Sequence, residues 1–411
     1  MDVIKAMPKM LSGKDLVNAL TVLPEYDESI RFANESVRLM ALSDLYKVYL
    51  PSQMSLEIYS KLYLSLLRSL QKKNTTLATK QRYENNRAIQ QQPYSGIIGG
   101  SDSYTIIGTS GIGKSTAIGR AVSLISEKRI IEVSAQYCKI IPFLTVQCPF
   151  DSSVKGLLLE ILRKADEELS TTYYQYAIKS RSATVDMLIG TVSTVVLNHV
   201  GVLIVDEIQN VANSKNGKSL VGMLTQLINN SGISICMVGT PESTIFFEQA
   251  MQLARRSLGL KYDRLEFNQY FWDFCCILYQ YQYVEQETEI DPAIVEWLYE
   301  HSAGVISVVV SLVHDAQEIA ILNGIEALNM ETLNMAYENR MSMLHSFIMP
   351  SIVKNPQCRT NKIVRTELPI LEQEELDGSK TIKELIDIAK NSGTDVVRLL
   401  KQYIPVVEVS I

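Results

Sequence analysis

The octapeptide GTSGIGKS, Gly108 to Ser115, satisfies the spacing G-x-x-x-x-G-K-S, whose four fixed identities make a cradle for phosphate. Glycines at 108, 111 and 113 let the backbone curl, so that the amides of Gly108, Thr109, Ser110, Gly111, Ile112 and Gly113 turn inward toward an anion. The N-terminus of the following helix adds its positive end. In such a cradle Lys114 reaches the terminal phosphates, Ser115 offers its hydroxyl to Mg2+, and Thr116 closes the first turn. A glycine-rich turn with a chance lysine is the competing reading. It is disfavoured by the setting, with the apolar run SYTII before the loop and the helical AIGRAVSLI after it.

A phosphate cradle leaves the reaction open, and GVLIVDEIQN narrows it. Four apolar residues lead to Asp206, which can hold the magnesium shell, and to Glu207, placed to polarise a water for attack on a γ-phosphate. A buried strand can also end in an acidic pair simply because the chain surfaces there. Downstream of a phosphate loop, hydrolysis is the stronger reading. SICMVGT is a further apolar run, and it ends in Thr240, whose hydroxyl can sit between the water and the γ-phosphate. No N-K-x-D or T-K-x-D element for guanine is present, the closest string being TNKIV, so ATP is expected over GTP. No acceptor-binding motif suggests a small-molecule kinase. In QLARRSLG, Arg255 and Arg256 end an amphipathic stretch where an arginine can neutralise transition-state charge in a neighbouring subunit. The helix dipole alone would also favour arginine there.

These groups need a scaffold. From Ser103 to about Phe267, the strand candidates YTII, FLTVQC, VLIVDE, SICMVG and DRLEF alternate with helical stretches, the pattern of a parallel sheet covered by helices on both faces. The expected class is α/β, a P-loop domain spanning 98–268. Between Tyr270 and Ser346, YFWDFCCILYQYQY, PAIVEWLYEHS, VISVVVSLVHDAQEIAIL and METLNMAYENRMSML show helical periodicity, so 269–346 reads as a helical lid. Residues 1–97 read as a helical N-terminal region, with Ile58, Leu62, Leu66 and Leu70 on one face. The basic stretch QKKNTTLATKQRYENNR reads as a solvated helix face slightly ahead of a DNA contact, and PYSGIIGGS as a hinge. Residues 347–411 read as a tail for partner docking.

With 46% hydrophobic and 20% charged residues, the 411-residue chain is ordinary for a globular protein of two or three domains. A net charge of −6 argues against coating nucleic acid with the whole surface, although a local basic face remains compatible with DNA. The six cysteines form no C-x-x-C pair, which disfavours zinc ribbons and points to reduced core thiols in a cytoplasmic protein. Neither a signal peptide nor a membrane span is expected.

The succession of P-loop, DE strand, GT sensor, ARR and helical lid resembles the AAA+ ATPases. The strings IIGTSGIGKST, LTVQCPFDSSVKGLLLEIL, VLIVDEIQN, MVGTPES, QLARRS and WDFCCILYQYQ, with the lid segment HSAGVISVVVSLVHDAQEIAILNGIEAL, are similar to those of the TnsC/TniB family of transposition regulators. LPEYDESIR and the long tail look like its TnsC branch, which includes CRISPR-associated members. The resemblance implies an ATP- and Mg2+-dependent homo-oligomer, ring or helical filament, on duplex DNA. It also implies partners, a TniQ/TnsD-type targeting protein and a transposase, with hydrolysis limiting how long the target stays licensed. Lys155 in FDSSVKG matches the region where relatives approach DNA phosphates, and a solvated lysine is an equally good reading of it. One departure is that GVISVVV, Gly304 to Val310, lacks the arginine many AAA+ lids place there, which fits a slow timer better than a fast motor. A signalling ATPase acting as a protein switch without DNA is the alternative, and a replicative loader a third.

Overall fold

A computed structural model describes residues 4, 7–73, 75–99, 103–127, 130–133, 138–179, 184–211, 217–244 and 259–342, all within the compact unit Met1–Val353. Arg255, Arg256 and the 347–411 tail lie outside the described residues.

Six strands form one sheet in the order β2-β3-β4-β5-β1-β6: β1 Tyr104–Gly108, β2 Ile131–Val133, β3 Cys138–Gln147, β4 Val200–Asp206, β5 Ser234–Gly239 and β6 Leu260–Tyr262. All neighbours run parallel except β2, an antiparallel edge strand on β3 that the sequence reading lacked. The last strand also differs from expectation. It is Leu260–Tyr262, while the whole of the expected DRLEF run lies beyond the sheet. The Asp263 carboxylate accepts the Arg264 amide (2.8 Å), and the Leu265 amide donates to the Gly304 carbonyl (3.2 Å), which turns the chain toward the lid.

Both faces of the sheet are buried, so the central strands are apolar throughout rather than alternating. In β4, Leu203 and Val205 pack with Leu157, Ile161, Val192 and Leu224 from helices Val154–Leu169, Val185–His199 and Gly217–Ser231. Val202 and Ile204 face the other way, onto helices Lys114–Ile125 and Gln53–Lys73. Ile58, Leu62, Leu66 and Leu70 are each at most 1% exposed, so the stripe of spacing four is the N-terminal helix's seat on the sheet.

The C-terminal helical region, expected as a lid and called so below, has among its described residues the helices Gln269–Tyr279, Pro292–Ser302, Ile306–Leu322 and Met330–Arg340. Its starts are written locally: Asn268 and Asp291 accept the Phe271 and Ile294 amides, Pro292 occupies the first helical position, and Asn329 with Thr332 forms a reciprocal cap. The N-terminal residues are shared between the two bodies. Leu42, Leu45 and Val48 join the lid core, whereas the helix Gln53–Lys73 belongs to the sheet.

The basic stretch is largely structural. The Lys73 ammonium caps the carbonyls of Val196 and Leu197 (2.7 Å each), Arg82 holds Asn198, and Arg87 pairs with Glu84. Within the PYSGIIGGS connector, expected as a hinge, residues 97 and 98 are held: the Gln81 side-chain oxygen accepts the amides of Ile97 (2.6 Å) and Ile98 (3.0 Å). Among the described residues no single helix is long and apolar enough to cross a membrane.

Candidate functional site

Because β1 lies between β5 and β6, the loop after it emerges at the C-terminal edge of the sheet, where the chain diverges to opposite sides and ligands of open α/β sheets bind. Register brings the other groups to the same edge, with Asp206 opposite Gln147 and Gly239 opposite Ile107.

Gly111 (φ +82°) and Gly113 (φ +94°) adopt backbone conformations that L side chains resist, and Gly113 caps the helix Lys114–Ile125. A cleft of about 270 Å3 opens over this loop. It brings together Ser110, Gly111, Gly113, Lys114, Ser115 and Thr116 with Asp206, Glu207 and Thr240, and adds Gln209 and Ser307. Gly108, Thr109 and Ile112 form the loop's remaining backbone. Lys155 is not among the cleft's residues, and Arg255 and Arg256 lie outside the described ones.

Lys114 is 9% exposed, and its ammonium donates to the carbonyls of Gly108 (2.6 Å) and Thr109 (2.8 Å). Burial pulls its pKa below the ordinary lysine value, and the carboxylates of Asp206, Glu207 and Glu242 act against that shift. An anion in the cleft would act against that shift as the carboxylates do.

Asp206 is half-buried, with its carboxylate accepting the Glu207 amide (2.8 Å). Glu207 is exposed and sits at φ +57°, a left-handed conformation costing ~1 kcal/mol or more for a residue with a Cβ. Strain of that kind persists where the surroundings over-determine it, and here the Glu207 carbonyl accepts the Asn210 amide (3.1 Å). The Gln209 side chain joins two of the groups read from sequence. Its amide nitrogen donates to the Glu207 carboxylate, and its oxygen accepts the Thr240 amide (3.3 Å). Thr240 turns its own hydroxyl to Glu242. Sequence reasoning passed over Gln209 and Glu242, although both lie within two residues of the groups it chose.

The helix Ile306–Leu322 meets the loop directly, the Ser307 amide donating to the Gly111 carbonyl (3.2 Å). Beside this contact a second cavity of about 250 Å3 shares Gly111, Gly113 and Thr116 with the cleft. Its walls are Tyr46 and Tyr49 from the N-terminal segment and Tyr270, Phe274, Ile306 and Val310 from the lid. Flat aromatic walls next to a phosphate loop suit a nucleobase.

Lys155 is exposed at the second position of the helix Val154–Leu169, beyond a turn that shows Phe150 (90% exposed) to solvent. That turn is tied to the cleft's floor. The Cys148 amide donates to the Asp206 carbonyl (2.8 Å), Asn210 donates to the Cys148 carbonyl (3.0 Å), and the buried Ser152 hydroxyl donates to the Asn210 carbonyl (3.1 Å).

Residues 98–265 match the family described as "Bacterial TniB protein". Among solved structures, the chain is similar to the Orc1 protein of Aeropyrum pernix in complex with DNA, at 15% identity and TM-score 0.41, with 63% of each chain covered. It is also similar to the Walker-type ATPase paby2304 of Pyrococcus abyssi, at 12% identity and TM-score 0.38, with 65% of this chain and 74% of that one covered. Thus the chain spans 63% of the length of the Orc1 chain it matches. A search of curated proteins finds no match. The phosphate loop and the acidic end of β4 both lie inside the matched segment, so the likeness of residues 98–265 to the TniB family takes in the residues that form the cleft apart from Ser307.

Proposed function

We propose that the protein hydrolyses ATP to ADP and phosphate and, in its ATP-bound form, assembles on duplex DNA as a regulator of transposition. In this reading it links a TniQ/TnsD-type targeting protein to the transposase, and hydrolysis releases the assembly. The observation that carries the ATPase part is the single cleft shared by Lys114, Ser115, Asp206, Glu207 and Thr240 over a glycine loop.

The chemistry follows from placement. Loop amides and Lys114 hold the β- and γ-phosphates, and the aromatic cavity takes the adenine. Ser115 and Asp206 offer hard oxygen donors to one cleft, a set that fits Mg2+ with phosphate and water completing its shell. When bound, Mg2+ supplies charge neutralisation on the phosphate oxygens. Glu207 takes a proton from the attacking water as the oxygen closes on phosphorus, and Thr240 orients that water. Arg255 and Arg256 are assigned to the neighbouring subunit's nucleotide, where a guanidinium stabilises developing charge.

For DNA, the support is Lys155 on an exposed helix start joined by hydrogen bonds to the Asp206–Asn210 segment. Contacts of this type follow the phosphate backbone, so binding should weaken steeply with salt and show little base preference. The decisive experiment is electron microscopy of the full chain with duplex DNA and a non-hydrolysable ATP analogue. Rings or filaments that need both DNA and the analogue, and that disperse as salt rises, are expected. Assembly indifferent to nucleic acid would move the reading to a DNA-independent protein switch, and a chain that stays monomeric throughout would refute it.

A further inference from the structure

The charge in the nucleotide site is lopsided. Lys114 is the one basic side chain lining the phosphate cleft among the described residues, and it faces Asp206 and Glu207. From Gly304 to Leu322 the lid brings no lysine or arginine, and Ser307 stands where its first turn meets the loop. A triphosphate added here has little cationic company from its own lid.

A second cleft, about 490 Å3, runs on from the first and shares Ser110, Gly111, Thr240 and Ser307 with it. One basic side chain lines it among the described residues, and that is Arg264. Arg264 does not belong to the lid helix. It sits two residues beyond β6, in the segment where the core hands over to the lid.

That segment is clamped at both ends. The Asp263 carboxylate accepts from the Thr109 hydroxyl (3.4 Å) in the phosphate loop, as well as from the Arg264 amide. On the lid side, Leu265 donates to the Gly304 carbonyl (3.2 Å) and accepts from the Tyr299 hydroxyl (3.1 Å). Gly304 is at φ +73°, and a Cβ there would lie 2.2 Å from the Leu265 oxygen, so the strap passes the lid with no side chain between. The guanidinium is thus carried by a short strap bound to the loop that holds phosphates and to the lid that closes over them.

We propose that Arg264 binds the terminal phosphate of ATP from within its own subunit and, through the 263–265 strap, sets the position of the lid according to whether that phosphate is present. This rests on the ATP-binding reading above. A planar guanidinium can meet two oxygens of a phosphate at once, and its exposure leaves little desolvation to oppose the contact. ADP lacks the group it would hold, so Arg264 discriminates between the two nucleotides rather than strengthening both.

The test is equilibrium binding of fluorescent ATP-analogue and ADP to the full chain with Mg2+, comparing the parent with Arg264→Ala, Arg264→Gln and Arg264→Lys. Loss of one charge-assisted contact should weaken triphosphate binding about tenfold in the Ala and Gln variants. Diphosphate binding should stay within about twofold, and Lys should recover part of the loss. Hydrogen exchange supplies a second readout: the triphosphate should slow exchange at 304–308 in the parent but not in Arg264→Gln. Equal weakening of both nucleotides, or no change in their ratio, overturns the assignment, because a merely structural arginine would act on both alike. A parent that binds neither nucleotide overturns the ATP reading as well, whereas a parent that binds with an unaltered ratio in the variants removes Arg264 alone.

Discussion

Gly111→Ala and Gly113→Ala place the same methyl at two loop positions of positive φ, yet the structure separates their consequences. At Gly113 a Cβ meets nothing within 4 Å, so the cost is backbone strain alone, ~1–2 kcal/mol. At Gly111 it would lie 2.4 Å from the Ser307 Oγ and 2.8 Å from the Val305 Cγ1, against an ordinary carbon contact of roughly 3.5–4.0 Å. The Ser307 hydroxyl can rotate away, but Val305 is branched at Cβ and stiff, so the first turn of the helix Ile306–Leu322 must retreat. Overpacking of this kind adds ~1–3 kcal/mol and breaks the Ser307 amide's bond to the Gly111 carbonyl. The assay is hydrogen exchange over 305–309 with thermal unfolding alongside, both on nucleotide-free protein so that phosphate binding does not intervene. Gly111→Ala should lose about tenfold protection at Ser307 and unfold at the lower temperature, while Gly113→Ala keeps that protection. Equal loss of protection in the two variants would refute the claim that Gly111 is where the loop and lid touch.

Two further outcomes concern single groups. Glu207→Gln keeps the side chain's size but removes the proton acceptor, so phosphate release should fall roughly 10²–10⁴-fold while ATP stays bound and assemblies persist; an unchanged rate would strip Glu207 of the water-activating role. Burial pushes the thiols of Cys148 and Cys236 up to about 12, so neither should be alkylated at pH 8 in the folded protein, although both should react after denaturation; rapid native labelling of Cys148 by peptide mapping would contradict that burial. Because these thiols hold their protons more tightly when folded, their contribution to stability is present below the ordinary thiol value and is lost as pH climbs from there toward 12.

The loop, the acidic pair and Thr240 were legible because each is written in a few adjacent residues, and parallel strands then carry them to one edge. The helices between 269 and 340 were legible for a similar reason, their caps and apolar spacing being local. What escaped the sequence was set by partners far along the chain. DRLEF has the composition of a strand, but Asp263 and Leu265 find the loop and Gly304 instead of a neighbouring strand. The glycines and proline of PYSGIIGGS signal flexibility, yet Gln81 pins the backbone they punctuate. The positive run before it suggests a surface face, although one of its lysines ends buried on the carbonyls of another helix. Gln209 is uncharged and common at helix starts, and only the fold sets it between Glu207 and Thr240.

The N-terminal segment shows what such distant partners do for function. Arg31 reaches the Val284 and Glu285 carbonyls and the Glu287 carboxylate, and Arg38 forks onto Glu326, each across more than 250 residues of chain. The ion pair holds the Glu326 carboxyl below its usual range, chiefly through its hydrogen bonds from Arg38. These buried arginines fasten residues 28–50 to the lid, while Leu42 and Leu45 enter the lid core at ~1.5–3 kcal/mol each. The same segment brings Tyr46 and Tyr49 to the wall of the cavity beside the phosphate loop. A base in the proposed site would touch core, lid and N-terminal segment together. Of the two tyrosines, Tyr46 packs against His314 of the lid, whereas Tyr49 packs with the sheet cluster beneath Arg120, so the N-terminal segment anchors the cavity's wall to both bodies.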